Sequence, residues 1–313
     1  MKIKFNPQKF IDEKIQEIKT LVGKEKAVVG TSGGVDSFTC TILGYRALKN
    51  RLVAVTIDTG LMREGEPEKV VKVGNTLGLK IKIIRAQKTF FQMLRSIEDP
   101  EEKRIAFREA FYQTLGKVVK KEKTSFLIQG TIKADIVETK GKIKTQHNVL
   151  EQIGIDPRRY GFSVIEPLRD LYKPDVRKVA KALGLPKKIW QRMPFPGPGL
   201  ALRVIGEVTP KRVEIVRKAH VIVEKELASS KPFQCFAVLL KDRATGLKKG
   251  KRAFGEIIVL RSVESEDAMT ATVTKIPWEI LMRIQKRITT EIPSVVKVLF
   301  DITPKPPSTI EYI

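Results

Sequence analysis

The first two thirds of the chain alternate short apolar runs with longer segments whose apolar residues recur at helical spacing. The apolar runs predict strands at 28–29, 52–58, 80–85 and 125–129, and the helical spacing covers 37–48, 67–77, 101–121 and 174–183. Strands that alternate with helices at these intervals predict an α/β fold, a doubly wound parallel sheet. The ligand of such a sheet is expected at the carboxyl ends of its strands.

The regular pattern fails between Gly130 and about Arg159. A loop of this length in a compact domain is usually functional or disordered. Because it follows a predicted strand, we expect its residues, about 131–159, to form a lid over the ligand-binding edge of the sheet.

A second change of pattern lies at 192–200, where three prolines and two glycines exclude a helix or a central strand. Beyond it, helices over 210–227 and 277–290 and strands around 235–240, 255–261 and 295–300 predict a small α+β domain. We therefore predict two domains, residues 1–192 and 193–313.

Composition supports this division, since 42% of the 313 residues are hydrophobic, enough for two domains with proper cores. No apolar stretch reaches the roughly eighteen residues of a membrane span. Residues 1–5 lack the apolar run of a signal peptide, so we expect a cytoplasmic protein without a membrane partner. Cys40 and Cys235 are isolated, lack metal-ligand spacing, and are interpreted as reduced packing residues.

The formal net charge of +24 suits either a nucleic-acid binder or a protein that attracts polyanionic small substrates. Lys and Arg are spread along the chain, with modest clusters at 117–123 and 248–252. We interpret both clusters as solvated helix faces rather than as an RNA site.

The clearest chemistry lies in the segment Val28-Val29-Gly30-Thr31-Ser32-Gly33-Gly34-Val35-Asp36-Ser37. An apolar strand breaks into a glycine pair and reopens as a helix, where backbone N–H groups and the helix dipole suit a phosphate. The loop lacks the Walker lysine that serves γ-phosphoryl transfer. Asp36 would repel a polyphosphate unless a divalent cation lay between them, so we predict that Asp36 is a Mg²⁺ ligand.

That segment resembles the pyrophosphate loop of the N-type ATP pyrophosphatases, which include GMP synthetase, NAD synthetase and the tRNA thiolases. The resemblance implies that ATP is cleaved between its α- and β-phosphates while the loop holds the leaving pyrophosphate. The ATP and pyrophosphate contacts it implies are Ser32, Gly33, Gly34, Val35, Asp36, Ser37, Phe38, Asp58 and Gly130.

Three later stretches are similar to GMP synthetases and to no other branch, namely 195–200, 261–270 and 301–311. The match covers nearly the whole chain and resembles the free-standing ATP-pyrophosphatase subunit of archaeal two-subunit GMP synthetases. It implies that xanthosine monophosphate (XMP) is adenylated on its C2 oxygen, and that ammonia then displaces AMP to give GMP.

The resemblance also implies which side chains act. Asp135, Glu138 and Lys144 match the catalytic groups of the lid, and the first two would share a face if the lid were helical. Cationic side chains suit the 5′-phosphate of XMP and a carboxylate suits its ring N–H groups; the implied XMP contacts are Arg104, Arg261, Lys305, Ile310 and Glu311.

Two of the expected contacts have structural alternatives. Asp58 and Arg63 are expected to border the adenosine, but Asp58 also suits the capping of a strand or helix. Arg104 lies among charged residues, where a surface ion pair is the alternative.

A glutaminase centre is missing, because neither cysteine lies in a glycine-rich elbow with His147 or His220 suitably placed. We therefore predict a separate glutamine amidotransferase subunit as partner, or free ammonia. The resemblance further implies a homodimer formed through the C-terminal domain. The chain departs from the family pattern at Phe38, Arg108, Gln146 and Leu150-Glu151.

Two alternatives stay open. A tRNA thiolase shares the loop and would explain the positive charge, although thiolation usually needs paired cysteines. A non-catalytic RNA-binding protein could retain the same fold. Both predict salt-sensitive RNA binding and neither predicts XMP-dependent formation of AMP, so we do not expect a nucleic-acid partner.

Overall fold

The computed structural model describes residues 5–140, 150, 155–248, 250–266 and 268–313, and they form two compact units. The first unit comprises 1–59, 65–90 and 107–192, and the second comprises 60–64, 91–106 and 193–313. The segments 60–64 and 91–106 belong to the second unit, although the sequence pattern assigns them to the first domain. Local periodicity carries no information about such long-range contacts.

The first unit is built on a parallel sheet whose strand order is β3-β2-β1-β4-β5. The strands are β1 Ala27–Gly30, β2 Leu52–Asp58, β3 Ile81–Arg85, β4 Phe126–Ile128 and β5 Ser163–Ile165. Val29 in β1 pairs with Ala54 on one side and Ile128 on the other. The predicted doubly wound parallel sheet is confirmed. The strand order reverses at β1 and β4, the place where such sheets bind ligands.

The helices up to residue 192 are α1 Pro7–Val22, α2 Val35–Leu48, α3 Glu66–Thr76, α4 Gln87–Met93, α5 Pro100–Lys121, α6 Lys133–Lys140, α7 Lys173–Ala182 and α8 Lys187–Trp190. Apolar residues of α1, α2 and α7 share one buried core with β1 and β4, including Ile11, Phe38, Val29, Ile128 and Val176. The long apolar run of α2 thus fixes the loop before it to the sheet.

Four helices up to residue 192 were not expected from the pattern, namely α1, α4, α6 and α8. α1 begins where Asn6 accepts hydrogen bonds from the N–H groups of Gln8 and Lys9, with Pro7 in the first turn. α6 lies inside the segment where no regular element was expected, so that expectation is wrong for 133–140. α6 is short, and apolar periodicity needs more than two turns to be recognised.

The second unit contains α9 Pro210–Glu226, α10 Trp278–Glu291, β6 Gln234–Lys248, β7 Lys251–Glu264, β8 Thr272–Val273 and β9 Val295–Asp301. β7 pairs antiparallel with β6 and β8 and parallel with β9. The predicted α+β unit is confirmed, but the described residues of the second basic cluster, 248 and 250–252, lie at the paired ends of β6 and β7 instead of on a helix. Among the described residues, no helix combines the length and apolarity needed to cross a membrane.

Candidate active site

The loop between β1 and α2 is closed by the hydroxyl of Ser37. The Ser32 N–H donates to Ser37 Oγ at 3.1 Å, and the Ser37 hydroxyl donates to the Gly34 carbonyl oxygen at 3.0 Å. At the start of the loop, the Thr31 N–H donates to the Val55 carbonyl oxygen at 2.8 Å. The loop therefore holds its shape through its own contacts and those of β2.

Gly33 occupies a position that only glycine fits. Its φ is +91°, and a Cβ atom there would lie 2.7 Å from Glu66 Oε1 and 3.0 Å from Arg192 Nη1. Any other residue would be strained by the positive φ, and its Cβ atom would clash with the Glu66 and Arg192 side chains.

An ion pair between Glu66 and Arg192 contacts the loop at Gly33, and neither residue was predicted from the sequence. Their fork-to-fork ion pair joins Nη1 to Oε1 and Nη2 to Oε2, and Arg192 Nη1 also donates to the Gly33 carbonyl oxygen at 3.4 Å. Glu66 is buried. Because the partners stand far apart in the chain, no local signal could have joined them.

The first turn of α2 presents backbone donors. No side chain caps the helix at Gly34, and the first intrahelical bond runs from the Phe38 N–H to the Gly34 carbonyl oxygen. The N–H groups of Val35, Asp36 and Ser37 precede that bond. Such N–H groups, together with the dipole of a helix, favour an anion at this end.

Gly130, just after β4, brings the second loop of the switch point against the first. A Cβ atom on Gly130 would lie 3.1 Å from both the Asp36 carbonyl carbon and the Ser37 backbone nitrogen. Glycine therefore permits a close approach of the two backbones. This contact is the geometry expected of a ligand site at the switch point.

Asp36 and Lys173 place opposite charges at the loop. Lys173 Nζ donates to Asp36 Oδ2 at 2.5 Å, while Asp36 Oδ1 is buried and has no hydrogen-bond partner among the described residues. Lys173 begins α7, where the helix dipole disfavours a cation, so the Asp36 carboxylate compensates for that position. Lys173 is not among the site residues predicted from the sequence.

The unpartnered oxygen of Asp36 fits a Mg²⁺ ligand. In the part of the chain that the structure describes, no cluster of three or more His, Cys, Asp or Glu residues could hold a metal ion. Mg²⁺ commonly takes one or two carboxylates and completes its shell with water and substrate phosphates. A site with a single protein carboxylate therefore suits a cation that arrives with a nucleotide.

Phe38 serves packing. Its ring is fully buried in the core, and its N–H is used within α2. Neither group is available to a phosphate, so we leave Phe38 out of the proposed binding site.

Asp58 ends β2 at the same edge of the sheet. Its Oδ2 accepts from Gln87 Nε2 at 2.6 Å and lies 3.6 Å from Arg85 Nη1. These are contacts with other side chains and not the capping of a strand or helix that the sequence offered as an alternative, and the contact of Asp58 with adenosine stays a prediction.

The described residues include only part of the predicted lid. The Ile132 N–H donates to Asp135 Oδ2 at 3.0 Å, so Asp135 caps the start of α6. α6 carries Glu138 three residues further on, which satisfies the helical condition for a shared face. The side chain of Glu138 and the whole of Lys144 lie outside the described residues, as do Gln146 and Glu151.

Arg261 holds the end of the chain in place. It is fully buried and donates to Asp301 Oδ2 at 2.6 Å and to the Ile310 carbonyl oxygen at 2.9 Å. It also donates to the carbonyl oxygens of Thr303 and Thr309. Four hydrogen bonds within the second unit commit the guanidinium to the segment that carries Ile310, so we assign Arg261 a supporting role instead of the direct XMP contact expected from the sequence.

Other residues predicted for XMP come together around the same segment. Arg104 Nη2 donates to the Ile313 carbonyl oxygen at 3.0 Å, and Arg104 Nε is buried without a partner among the described residues. Lys305 Nζ donates to the Ala268 carbonyl oxygen at 2.9 Å. Glu311 is mostly buried and is contacted by Arg203 and Gln234, two residues not predicted from the sequence.

Two family descriptions match the chain. A PP-loop domain matches residues 7–187, and a GMP synthase C terminal domain matches residues 222–312. A solved NH3-dependent NAD synthetase from Campylobacter jejuni aligns with a TM-score of 0.48 and 21% identity over 60% of this chain and 78% of that chain.

Several curated relatives are similar over nearly their whole length, and each is named as the same subunit of a glutamine-hydrolyzing GMP synthase. The relative from Methanopyrus kandleri is 49% identical over 98% of this chain and 99% of its own length. Those from Thermococcus kodakarensis and Archaeoglobus fulgidus are 52% and 53% identical, each over 97% of this chain and 99% of their own length. The resemblance inferred from the motifs is confirmed, and the chain belongs to this family of GMP synthase subunits.

Proposed function

We propose that this chain carries out the synthetase half of GMP formation. ATP adenylates the C2 oxygen of XMP and releases pyrophosphate, and ammonia then displaces AMP to give GMP. The observation that carries the proposal is the lysine-free loop at the switch point, where the first turn of α2 and Asp36 meet Gly130. A loop that binds the departing pyrophosphate directs cleavage to the bond beside the α-phosphorus.

The residues of the loop have distinct tasks in this reaction. The N–H groups that begin α2 bind the pyrophosphate oxygens, and Ser37 keeps the loop in the shape that presents them. Mg²⁺, when bound through Asp36, neutralises phosphate charge. Lys173, paired with the other oxygen of Asp36, adds a cation beside the loop.

We assign the second substrate to residues of the second unit. Arg104 and Lys305 suit the phosphate of XMP, and Glu311 suits its base. Asp135, Glu138 and Lys144 complete the proposed catalytic set. We further propose that a separate amidotransferase subunit supplies the ammonia, that the second unit forms a homodimer, and that the protein works in the cytoplasm.

The thiolase alternative is not favoured by the cysteines. Cys40 and Cys235 are both buried, and neither forms a disulfide. Burial raises the pKa of the Cys40 thiol well above its usual value and raises that of Cys235 to about 12. Thiols that stay protonated are poor nucleophiles.

The decisive assay mixes the purified chain with ATP, Mg²⁺, XMP and ammonium and follows GMP, AMP and pyrophosphate. We expect all three products in equal amounts, and we expect no GMP when glutamine replaces ammonium. Release of ADP, or AMP formation that does not depend on XMP, would overturn the proposal.

A further inference from the structure

Arg203 is a charged side chain placed where water cannot reach it. It ends the turn Gly199–Arg203 and is fully buried. Its guanidinium carbon lies 4.7 Å from the ring centre of Phe195 and 4.3 Å from that of Phe236. Aromatic faces stabilise a cation only in part, and a buried charge without a counterion is costly.

Glu311 supplies the counterion. Arg203 Nη2 lies 3.4 Å from Glu311 Oε1, and among the described residues no other carboxylate pairs with Arg203. Gln234 Nε2 donates to the same oxygen at 2.5 Å. Oε1 is therefore fixed by two donors.

The second carboxylate oxygen of Glu311 has no such donor among the described residues. Oε2 is buried and has no hydrogen-bond partner within the described part of the chain. A buried carboxylate oxygen without a donor is unfavourable, so its position suits a further hydrogen-bond donor. The arrangement fixes one oxygen and leaves the other without a donor among the described residues.

His220 orients Arg203 from the side away from Glu311. His220 Nδ1 lies 3.4 Å from Arg203 Nη1, and Nε2 lies 3.1 Å from Glu224 Oε1. Burial lowers the pKa of His220 to about 4, so the ring is neutral near pH 7. A neutral imidazole has one donor and one acceptor, which places the proton on Nε2 and leaves Nδ1 to accept from Arg203.

The row of contacts continues to Arg63. Arg63 Nε donates to Glu224 Oε1 at 2.9 Å, and its guanidinium carbon lies 4.2 Å from the centre of the Phe195 ring. Glu224 Oε1 therefore lies beside both Arg63 and His220, although His220 Nε2 makes no hydrogen bond among the described residues. All of these residues belong to the second unit.

We propose that Arg203 is a positioning residue for Glu311 and that His220 orients Arg203, so that Glu311 Oε2 is held for an N–H donor of the xanthine base. This inference rests on the proposed function, because it takes XMP as the ligand of Glu311. It adds that the affinity for XMP depends on two side chains that need not touch the nucleotide.

The first test compares Arg203→Met with the wild-type chain in the ammonium-dependent assay and in calorimetric titration with XMP. Loss of a charge-assisted hydrogen bond to the base-binding carboxylate is expected to raise the KM and Kd for XMP about tenfold or more. The KM for ATP should change less than about twofold, since ATP is assigned to other residues. Arg243→Met is the control for removing an arginine that contacts a phenylalanine ring, that of Phe254, because the exposed Arg243 pairs with Glu256 and the Phe254 carbonyl oxygen and not with Glu311.

A second test separates positioning from general packing. In a Glu311→Gln background, Arg203→Met should have little further effect on the KM for XMP, because the carboxylate through which Arg203 acts is already removed.

The two substitutions of His220 test its hydrogen bond to Arg203. His220→Asn keeps an acceptor near the place of Nδ1, whereas His220→Gln keeps only the donor near the place of Nε2. We expect the Asn variant to retain the affinity for XMP and the Gln variant to lose it. The histidine pair provides the test if Arg203→Met does not fold.

The outcomes are distinguishable. If the wild-type chain neither binds XMP nor forms GMP, the proposed function fails. If it does both while folded Arg203→Met and His220→Gln keep the wild-type KM for XMP, the positioning role is wrong. Equal losses in the Glu311→Gln and wild-type backgrounds would also overturn it.

Discussion

At the scale of single residues, the two oxygens of Asp36 differ in a way that bears on catalysis. One accepts from Lys173 and the other is buried without a partner among the described residues. A carboxylate in this state gains from a cation on its second oxygen, and substrate phosphates can share that cation. Through such a cation, the Asp36 side chain would link the loop to the phosphates of the nucleotide.

Asp36→Asn tests this coupling, because it keeps the shape of the side chain and removes its charge. We expect kcat/KM for ATP to fall about 100-fold or more, as when a group that stabilises transition-state charge is lost. The measurement is the rate of pyrophosphate release over a range of Mg²⁺ concentrations. Asp12→Asn, on the exposed side of α1, is the control and should behave as the wild type. A wild-type rate in Asp36→Asn would remove the metal ligand from the proposal.

His220 predicts a pH dependence of stability. Its pKa is lowered from 6.5 to about 4 by burial, so below pH 6.5 the unfolded chain binds a proton that the folded chain does not. The free energy of unfolding is then lost progressively as the pH falls from 6.5 to 4. At about 1.36 kcal/mol per pKa unit, the loss approaches 3 kcal/mol.

Chemical denaturation at a series of pH values measures this loss, with His220→Gln as the comparison. The variant should lack the part of the slope between pH 4 and 6.5. Burial alone would raise the pKa of Glu224, but the contact with His220 and the charge of Arg63 lower it to about 2, so this carboxylate stays ionised throughout that range. An unchanged slope in the variant would show that other groups cause it.

Sequence reasoning found the loop residues but not their supports. Ser32 to Ser37 form a contiguous motif, and its chemistry could be inferred from residue types alone. The Glu66–Arg192 pair and the Arg203–Glu311 pair join positions over one hundred residues apart. Charged residues are common along this chain, and nothing local marks the few that fold into the interior, such as Arg261.

At the scale of elements, the strength of the local signal decided what could be predicted. Four of the five parallel strands are near-continuous apolar runs whose bounds agree with the pattern to within one or two residues, and β5 was not predicted. α6 has too few residues to show a period, and the β6–β7 hairpin extends through charged residues that no strand pattern reveals. Elements with a long apolar pattern could be predicted from the sequence. A short helix such as α6, and the charged ends of two paired strands such as β6 and β7, could not.

Gly199 is an element boundary where a side chain cannot be placed. Its φ is +63°, and a Cβ atom would lie 2.2 Å from the Leu61 carbonyl oxygen, which accepts from the Leu200 N–H at 2.7 Å. We expect Gly199→Ala to lower the free energy of unfolding by about 2 kcal/mol or more.

Gly184→Ala is the matched control, since its φ is +85° but nothing lies within 4 Å of the added methyl group. It should cost about 1 kcal/mol, the backbone contribution alone. Thermal or urea unfolding of both variants gives the comparison. If both variants lose the same free energy of unfolding, the contact between the added methyl group and the Leu61 carbonyl oxygen is relieved at no energetic cost.

At the scale of the whole molecule, the two units are not consecutive pieces of sequence. The second unit takes in 60–64 and 91–106, which precede much of the first unit in the chain. Lys103 shows how closely these segments are joined to it. The Lys103 side chain is buried, and its Nζ donates to the carbonyl oxygens of Val204 at 2.8 Å and Gly206 at 2.7 Å.

This interleaving predicts that a fragment of residues 193–313 is not a stable domain. It lacks the Leu61 carbonyl oxygen and the Lys103 ammonium that bind its first residues. We expect the fragment to show no cooperative thermal transition by circular dichroism. A fusion that places 91–106 ahead of it should recover part of the transition, and a scrambled version of those sixteen residues is the control. A fragment that melted like the intact chain would contradict the division.

The position of Lys103 also constrains how the protein is made. Its carbonyl partners lie 101 and 103 residues further along the chain, so at about 5 to 20 residues per second the ribosome delivers them some 5 to 20 seconds later. During that interval the nascent segment has no finished surface to pack on and must remain hydrated. The closely spaced charged residues from Glu98 to Arg104 keep this segment soluble until its partners are synthesised. These acidic and basic side chains therefore contribute during synthesis as well as in the folded protein.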